Sequence, residues 1–254
     1  MLTNLMAARL RLGSVRPAVR SLCLLLLCAA APLASAASVK VGDVTLQVPE
    51  PAGYAQVTPE MDGLLERAQA MTTASNISLA IFISEGDAAA VLTGGPRTSP
   101  RYFWIQTAKG AVGQHVSPEV FAQFKQVIRQ TQDEMSERLK RDAPELMNKA
   151  SEALSEQMDA NLLIRLGGLV TMPVHHEDAN SISSSMISRV EFSAPGAKST
   201  AEVVTGTYAT VNVGGTVVFL YVFGDKDDLA WTREQAEKWT KEVVAANTPR
   251  LKKP

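Results

Sequence analysis

The residues best suited to chemistry lie in the hexapeptide "PVHHED", residues 173–178. It places His175 and His176, two of the chain's three histidines, directly before two carboxylates. Imidazole nitrogens and carboxylate oxygens are common zinc ligands and frequent general acids and bases in enzymes. His175, His176 and Glu177 are therefore candidate metal ligands, with Asp178 beside them.

The other interpretation of this stretch is a polar connection between two strands. Side chains alternate along a strand, so adjacent histidines point to opposite faces unless the strand has already ended. The chain has no HExxH motif, and a further ligand such as His115 would come from far along the sequence. We favour the polar connection, expect His175 and His176 to diverge, and predict no cofactor.

Other catalytic patterns are missing from the sequence. The serines at 183–185 lack the G-x-S-x-G surroundings of a hydrolase nucleophile, and their alternation with Ile182 and Met186 predicts the solvent face of a strand. The glycine pairs at 94–95 and 167–168 lack the strand–GxxxxGK–helix arrangement of a phosphate loop. The pair at 167–168 predicts a bulge or bend instead.

The N-terminus has the pattern of a bacterial secretory signal peptide. Residues 1–20 carry four arginines and no acidic residue, an apolar run follows over 22–34, and "ASA" ends at Ala36. The apolar run is too short to span a bilayer as a helix. We predict a signal peptide over 1–36 with cleavage after Ala36 or Ala37, a periplasmic or secreted protein, and no membrane span after removal of the signal.

Composition limits the function of the exported part. Both cysteines, Cys23 and Cys28, lie in the signal, so thiol catalysis and thiolate metal sites are excluded for the exported chain. Without the four signal arginines the chain has 21 basic and 26 acidic residues, a formal net charge of −5. This mildly acidic balance argues against a nucleic-acid partner.

Helical and strand periodicities alternate along the rest of the chain. Strands are predicted as a hairpin over 38–51 and then over 76–84, 101–108, 162–174, 181–192, 201–213 and 216–223. Helices are predicted over 58–74, 118–141, 143–158 and, after Asp227 or Asp228, up to Asn247. Pro144 is expected either to separate the second and third helices or to kink them sharply.

These elements predict one α+β domain over 37–248 with a basic tail over 249–254. The four late strands have short connections, which favours an antiparallel meander. The strand over 216–223 is apolar throughout, so we place it centrally with both of its faces covered. A largely antiparallel sheet with helices on both faces, carrying a long helical insert over 117–158, fits these patterns.

Two segments resemble a known family. "VTLQVPEPAGYAQV" is similar to the opening strand and turn of PsbP/Mog1-like domains, and "TVVFLYVFGDKDDLAWTREQAEKWTKEVVAAN" resembles the closing strand and helix of exported bacterial proteins of unassigned function. The resemblance implies a PsbP/Mog1-like sandwich, an antiparallel sheet with flanking helices, used for protein interaction rather than catalysis.

Trp231 is the candidate for partner binding. It lies off the apolar stripe of the last helix, so it could anchor an envelope protein partner, or it packs on a neighbouring loop. The sequence favours a non-catalytic protein- or ligand-binding module of the envelope. The alternative is a metal-dependent or acid–base enzyme that uses His175, His176 and Glu177.

Overall fold

A computed structural model describes residues 36–61, 63–158, 161, 163–196 and 198–248. Nearly all of the predicted signal, and the basic tail, lie outside these residues. Across the part that is described, no helix combines the length and apolar character needed to cross a bilayer.

Ten strands form two antiparallel sheets. The strands are β1 Ala36–Val41, β2 Val44–Pro49, β3 Tyr54–Gln56, β4 Asn76–Ser84, β5 Tyr102–Ala108, β6 Leu163–Thr171, β7 His176–Glu177, β8 Ser181–Ser193, β9 Thr200–Val213 and β10 Thr216–Asp225. The β1–β2 hairpin turns at Gly42, as predicted, and forms a sheet of its own. The other eight strands form the main sheet in the order β3-β4-β5-β10-β9-β8-β6, with β7 also paired to β8.

The main sheet confirms the predicted fold class, because all of its strand pairs are antiparallel. The late strands β8, β9 and β10 form the expected meander, and β10 lies between β9 and β5 at the centre of the sheet. The register of β6 against β8 shifts between Leu166 and Gly168, so the glycine pair does mark a bulge.

The described residues form five α-helices. They are α1 Leu64–Ala70, α2 Glu85–Leu92, α3 Pro118–Gln130, α4 Gln132–Met158 and α5 Leu229–Asn247. Helix α1 begins six residues later than the sequence pattern predicts, because Gly63 adopts a left-handed φ of 69° and a turn occupies 58–61. Helix α2 extends the single helical turn expected after β4.

The break in the helical insert falls at Thr131 and not at Pro144. Helix α3 has the predicted start, with the Ser117 side chain accepting a hydrogen bond from the backbone N–H of Val120. Helix α4 continues through Pro144, which removes one backbone hydrogen bond without ending the helix. The prediction of helices divided at Pro144 was therefore wrong.

Helix α5 and the β1–β2 hairpin cover one face of the main sheet, which we call the α5 face. Its core is closed and aromatic: Trp239 of α5 packs edge-on against Phe82 of β4 and Phe103 of β5, with ring centroids 5.7 and 5.3 Å away. Leu220 and Val222 of β10 are fully buried there. The predicted stripe of α5 is confirmed, with Thr232, Ala236, Trp239 and Val243 all buried.

The serines of β8 are buried, contrary to the sequence prediction. Ser181, Ser183 and Ser185 lie under α5, and Ser185 is completely inaccessible to solvent. Its hydroxyl exchanges a hydrogen bond with Thr207 at 3.0 Å and accepts one from Arg233 at 3.1 Å. Helix α5 covers this polar face because hydroxyl groups such as those of Ser185 and Thr207 form hydrogen bonds with each other. A prediction from residue polarity alone therefore placed the wrong face of β8 in solvent.

Candidate functional site

A large cleft lies on the opposite face of the main sheet, which we call the cleft face. The cleft has a volume of about 1180 Å³ and lies between the sheet, helix α4 and the loop over residues 97–100. Ligand sites in proteins are typically concave, largely apolar and about 300–1,000 Å³ in volume. The cleft is therefore large enough for a substantial small-molecule ligand.

Aromatic side chains from three neighbouring strands form the floor of the cleft. Tyr221 of β10 is directly opposite Trp104 of β5 on one side and Tyr208 of β9 on the other. One step along the sheet, Phe223 stacks on Tyr102 with ring centroids 4.6 Å apart. Strand pairing thus places five aromatic residues side by side, which gives a rigid floor at low entropic cost.

Gly206 makes room for this floor. It lies in β9 between Phe223 and Met186, and a β-carbon on it would come within 3.0 Å of the Phe223 ring and 3.3 Å of the Met186 methyl group. Because Gly206 has no side chain, the Phe223 and Met186 side chains can both lie over β9. The strand sequence therefore specifies the shape of the floor as well as its chemistry.

The walls of the cleft are mainly apolar on the side of β6, β8 and α4. Lining side chains there are Leu146, Met147, Ile164, Leu166, Met186, Val190 and Phe192. Methionine is unbranched and adapts to ligands of different shape. This side of the cleft is suited to an apolar group without strict geometric demands.

Polar contacts attach α4 to the edge of the sheet. Gln132 donates to the carbonyl of Met172 at 2.5 Å, and the hydroxyls of Ser136 and Thr171 lie 2.7 Å apart. Near the other end of the helix, the backbone N–H of Ile164 donates to the Ser151 hydroxyl at 2.8 Å. The helix is thus held at both ends while the space beneath it stays open.

Arg97 is a partly buried, positively charged residue that lines the cleft. Its guanidinium lies over the Tyr102 ring, 5.4 Å from the centroid, and donates to the carbonyl of Ser99 at 3.0 Å. Asp87 holds the loop in place by accepting from the backbone N–H groups of Thr98 and Ser99. Burial opposes ionisation of Asp87, but these hydrogen bonds lower its pKa below the usual range.

A second cavity of about 650 Å³ adjoins the cleft. Helix α1, strand β4 and the loop that contains Gly94 and Arg97 enclose it. Met71, Tyr102 and Trp104 line both spaces. The indole N–H of Trp104 donates to the Ser78 hydroxyl at 2.8 Å, which fixes the ring that both cavities share.

The two histidines of "PVHHED" lie on the same side of the sheet, so the predicted divergence was wrong. His176 is directly opposite Ser183 and its Nδ1 is 3.8 Å from Glu237 of α5. The Nε2 of His175 is 3.4 Å from the Ser183 hydroxyl. Strand β7 begins only at His176, so the alternation rule does not extend back to His175.

Glu177 points instead to helix α3. Its carboxylate pairs with Arg129 and lies 3.2 Å from the Nζ of Lys125, whose side chain is buried. Burial raises the pKa of Glu177, but the hydrogen bonds from Arg129 and Lys125 outweigh it and lower the pKa overall. The "PVHHED" segment thus connects the sheet edge to α3 through Glu177 and to α5 through His176.

His115 lies elsewhere, against the β9–β10 turn. Gly215 in that turn has a φ of 94°, and a β-carbon on it would overlap the His115 imidazole at 2.2 Å. No group of three or more His, Cys, Asp or Glu side chains with metal-binding geometry occurs among the described residues. A metal role for His175, His176 and Glu177 stays a prediction.

Trp231 is partly buried at the edge of the α5 core. It packs edge-on against Phe103, with centroids 5.9 Å apart, and Arg101 covers its ring at 4.4 Å. Arg101 also makes two hydrogen bonds to the carboxylate of Asp228, at 2.7 and 2.9 Å. These contacts hold the Trp231 side chain against the rest of the fold. Its role in partner binding stays a prediction.

The comparisons with known proteins show no close relative. No family model matches the chain, and no curated protein matches its sequence. Among solved structures, the chain is similar to cyanobacterial PsbP (CyanoP) from Synechocystis sp. PCC 6803, at 8% identity and a TM-score of 0.27, over 86% of this chain and 95% of that one. The likeness is distant, and the α+β assignment rests on the chain's own strand pairing.

The sequence analysis missed the residues of the cleft. Aromatic residues two apart, as in Tyr102–Trp104 and Tyr221–Phe223, place both rings of each pair on one face of a strand. That spacing was visible in the sequence. The cleft itself depends on how far α4 lies from the sheet, and no local pattern encodes that distance.

Proposed function

We propose that the chain is an exported envelope protein that acts as a non-catalytic binding module, holding an apolar or amphipathic small molecule in the cleft. The cleft carries this proposal, since it combines a volume of about 1180 Å³ with an aromatic floor and a largely apolar wall. Surfaces of this kind are normally filled by a partner or ligand, because apolar surface exposed to water is unfavourable.

Export is supported by the basic, apolar and small-residue pattern of residues 1–36. Cleavage after Ala36 removes only the first residue of β1 and keeps the buried Ala37, Val39 and Val41. Fractionation of cells that express the full chain, followed by N-terminal sequencing, tests this part. We expect a periplasmic or secreted protein that begins at Ala37 or Ser38, and an unprocessed chain in the cytosol would contradict export.

Two neighbouring substitutions on β8 test ligand binding. Ser188 lines the cleft, whereas Arg189 points away from it and is 59% exposed. A tryptophan in place of Ser188 fills part of the cleft, and Arg189→Trp places the same bulk outside it. We expect Ser188→Trp to weaken binding of the neutral fluorescent dye N-phenyl-1-naphthylamine at least tenfold, and Arg189→Trp to bind like the unmodified protein.

Circular dichroism of both variants checks that the fold is intact. Native mass spectrometry of the protein purified from envelope extract gives a second readout that needs no substitution, since we expect a retained small molecule of defined mass. Equal dye affinity in two folded variants, together with a protein free of bound ligand, would refute the binding module.

A further inference from the structure

The cleft crosses five strands of the main sheet. Its lining runs from Tyr102 and Trp104 of β5, over β10 and β9, to β8 and β6. Adjacent strands lie about 4.8 Å apart, so the four spacings from β5 to β6 make roughly 19 Å. An extended hydrocarbon chain is therefore long enough to reach from the β5 side of the cleft to the β6 side.

The chemistry of the cleft changes along this length. Arg97 and the hydroxyl side chains of Thr98 and Ser99 lie beside β5, whereas the far side beside β6 is lined by Ile164 and Leu166. Helix α4 adds Leu146 and Met147 above that far side. One end is therefore cationic and hydrogen-bonding, and the other end is apolar.

Arg97 has hydrogen-bonding capacity that the described residues do not use. A guanidinium carries five N–H donors. Within the described chain Arg97 makes one hydrogen bond, to Ser99, and its Nε has no hydrogen-bond partner. Asp87 forms an ion pair with that buried Nε at 4.0 Å, without a hydrogen bond, and its oxygens accept hydrogen bonds from the backbone N–H groups of Thr98 and Ser99.

The other charges around the cleft do not compete with Arg97. They are Arg138, Asp142, Glu202, Asp225 and Lys226, and all are exposed to solvent. Exposed charges are screened by water and salt, so each contributes little to binding. Arg97 is partly shielded by the Tyr102 ring, where an ionic hydrogen bond to a carboxylate or phosphate is stronger.

We propose that the ligand is a single-chain amphiphile with an anionic head, the head hydrogen-bonded to Arg97 and the hydrocarbon tail lying between the aromatic floor and α4. This inference rests on the proposed binding function of the cleft and adds the chemical class of the ligand. The head is a carboxylate or a phosphate, because the guanidinium binds either with two parallel hydrogen bonds.

Isothermal titration calorimetry on the purified protein tests the head and the tail separately. The probes share one twelve-carbon tail and differ only in the head: dodecanoate, dodecyl phosphate, neutral dodecanol and cationic dodecyltrimethylammonium, all kept below micelle formation. Each is titrated into the unmodified protein, Arg97→Gln and Arg189→Gln, where Arg189 is a matched arginine outside the cleft.

We expect one anionic probe to bind per chain, at least roughly tenfold more tightly than dodecanol, and to lose that advantage in Arg97→Gln but not in Arg189→Gln. The tighter of dodecanoate and dodecyl phosphate identifies the head. Dodecanol should bind equally to all three proteins.

Three outcomes would overturn the inference. Equal affinity for dodecanol and both anions, a preference for the cationic probe, or unchanged anion binding in Arg97→Gln would each exclude Arg97 as the head site while leaving the cleft as a binding site. If none of the four probes binds and the neutral dye is also unaffected by Ser188→Trp, the proposed function fails together with its ligand class.

Discussion

The two faces of the main sheet differ in packing, although the same strands form both. On the α5 face, Leu220 and Val222 are completely buried and belong to the same hydrophobic core as Trp239. On the cleft face, the alternate residues Tyr221 and Phe223 stand under α4 with about 1180 Å³ of space around them. One strand, β10, therefore contributes to a packed core and to a binding surface.

The coverings of the two faces explain the difference. Helix α5 lies against the sheet through small and interlocking side chains such as Ala236 and Thr232, which let it approach closely. Helix α4 is held through side-chain hydrogen bonds at its ends, such as those of Gln132 and Ser151. We infer that the α5 face supplies most of the stability and leaves the cleft face free to hold a ligand.

The largest expected effect is the loss of the central aromatic residue of the α5 face. Trp239→Ala removes the ring between Phe82 and Phe103 and the indole hydrogen bond to the Pro49 carbonyl. We expect the free energy of unfolding to fall by about 3–5 kcal/mol, measured by urea denaturation. Trp231→Ala on the same helix should cost clearly less, and equal losses would contradict a core centred on Trp239.

A direct comparison of the faces uses one residue from each. Leu220→Ala opens a cavity in the closed core and should cost about 3 kcal/mol in urea denaturation. Met186→Ala removes a side chain that already borders open space and should cost about 1 kcal/mol. If Met186→Ala proves as destabilising as Leu220→Ala, the cleft is closed in solution and the contrast between the faces disappears.

A smaller effect is expected from acid on the α5 face. Burial, with the positive charge of Arg233 nearby, lowers the pKa of His175 to about 4 from 6.5. Because the folded pKa is depressed, the neutral imidazole stabilises the fold fully above pH 6.5, and this contribution is lost as the pH falls towards 4. Thermal melts across this range should show the loss, and His175→Gln should reduce it.

The exposed His115 supplies the control for this experiment. Thermal melts of His115→Gln over the same pH range are compared with those of His175→Gln. If the pH dependence persists in His175→Gln and disappears in His115→Gln, the loss of stability in acid arises from His115 and not from His175.

The smallest effect concerns the ion pair at the start of α5. Hydrogen bonds from Arg101 lower the pKa of Asp228, so the pair stabilises the fold above the ordinary aspartate pKa of 3.8 and is lost in stronger acid. A double-mutant cycle with Arg101→Met and Asp228→Asn at pH 7 should give a coupling of about 1 kcal/mol, since Arg101 is partly exposed. The coupling should decrease as the pH falls below 3.8, and a coupling that is independent of pH would exclude this ionic origin.

Strand and helix positions were largely predictable from the sequence, because the hydrophobic period and the turn-forming and capping residues are local properties of the sequence. The alternation in "SISSSMISRVEF" located β8, and the apolar run over 216–223 located β10. The errors arose where two local signals competed. Pro144 predicted a helix end, but the residues on both sides of it continue the helix. The serines of β8 were predicted to face solvent because they are polar, but their hydroxyl groups are hydrogen-bonded beneath a helix.

The candidate site was less predictable than the fold. The "PVHHED" stretch does lie between β6 and β8, but the orientation of His175 depended on where β7 begins. The aromatic floor needed the pairing of β5, β10 and β9, which brings Trp104 together with Tyr208 and Tyr221, more than one hundred positions further along the chain.

The sequence by itself determined the order of strands and helices, the glycine turns, the apolar stripe of α5 and the leader-like pattern of residues 1–36, since each depends on neighbours within a few residues. Tertiary structure alone decided which face of β8 is buried, the distance between α4 and the sheet, and the position of Arg97 at the cationic end of the cleft. Those properties arise from long-range packing, because a cavity is defined by the separation of surfaces that different parts of the chain supply.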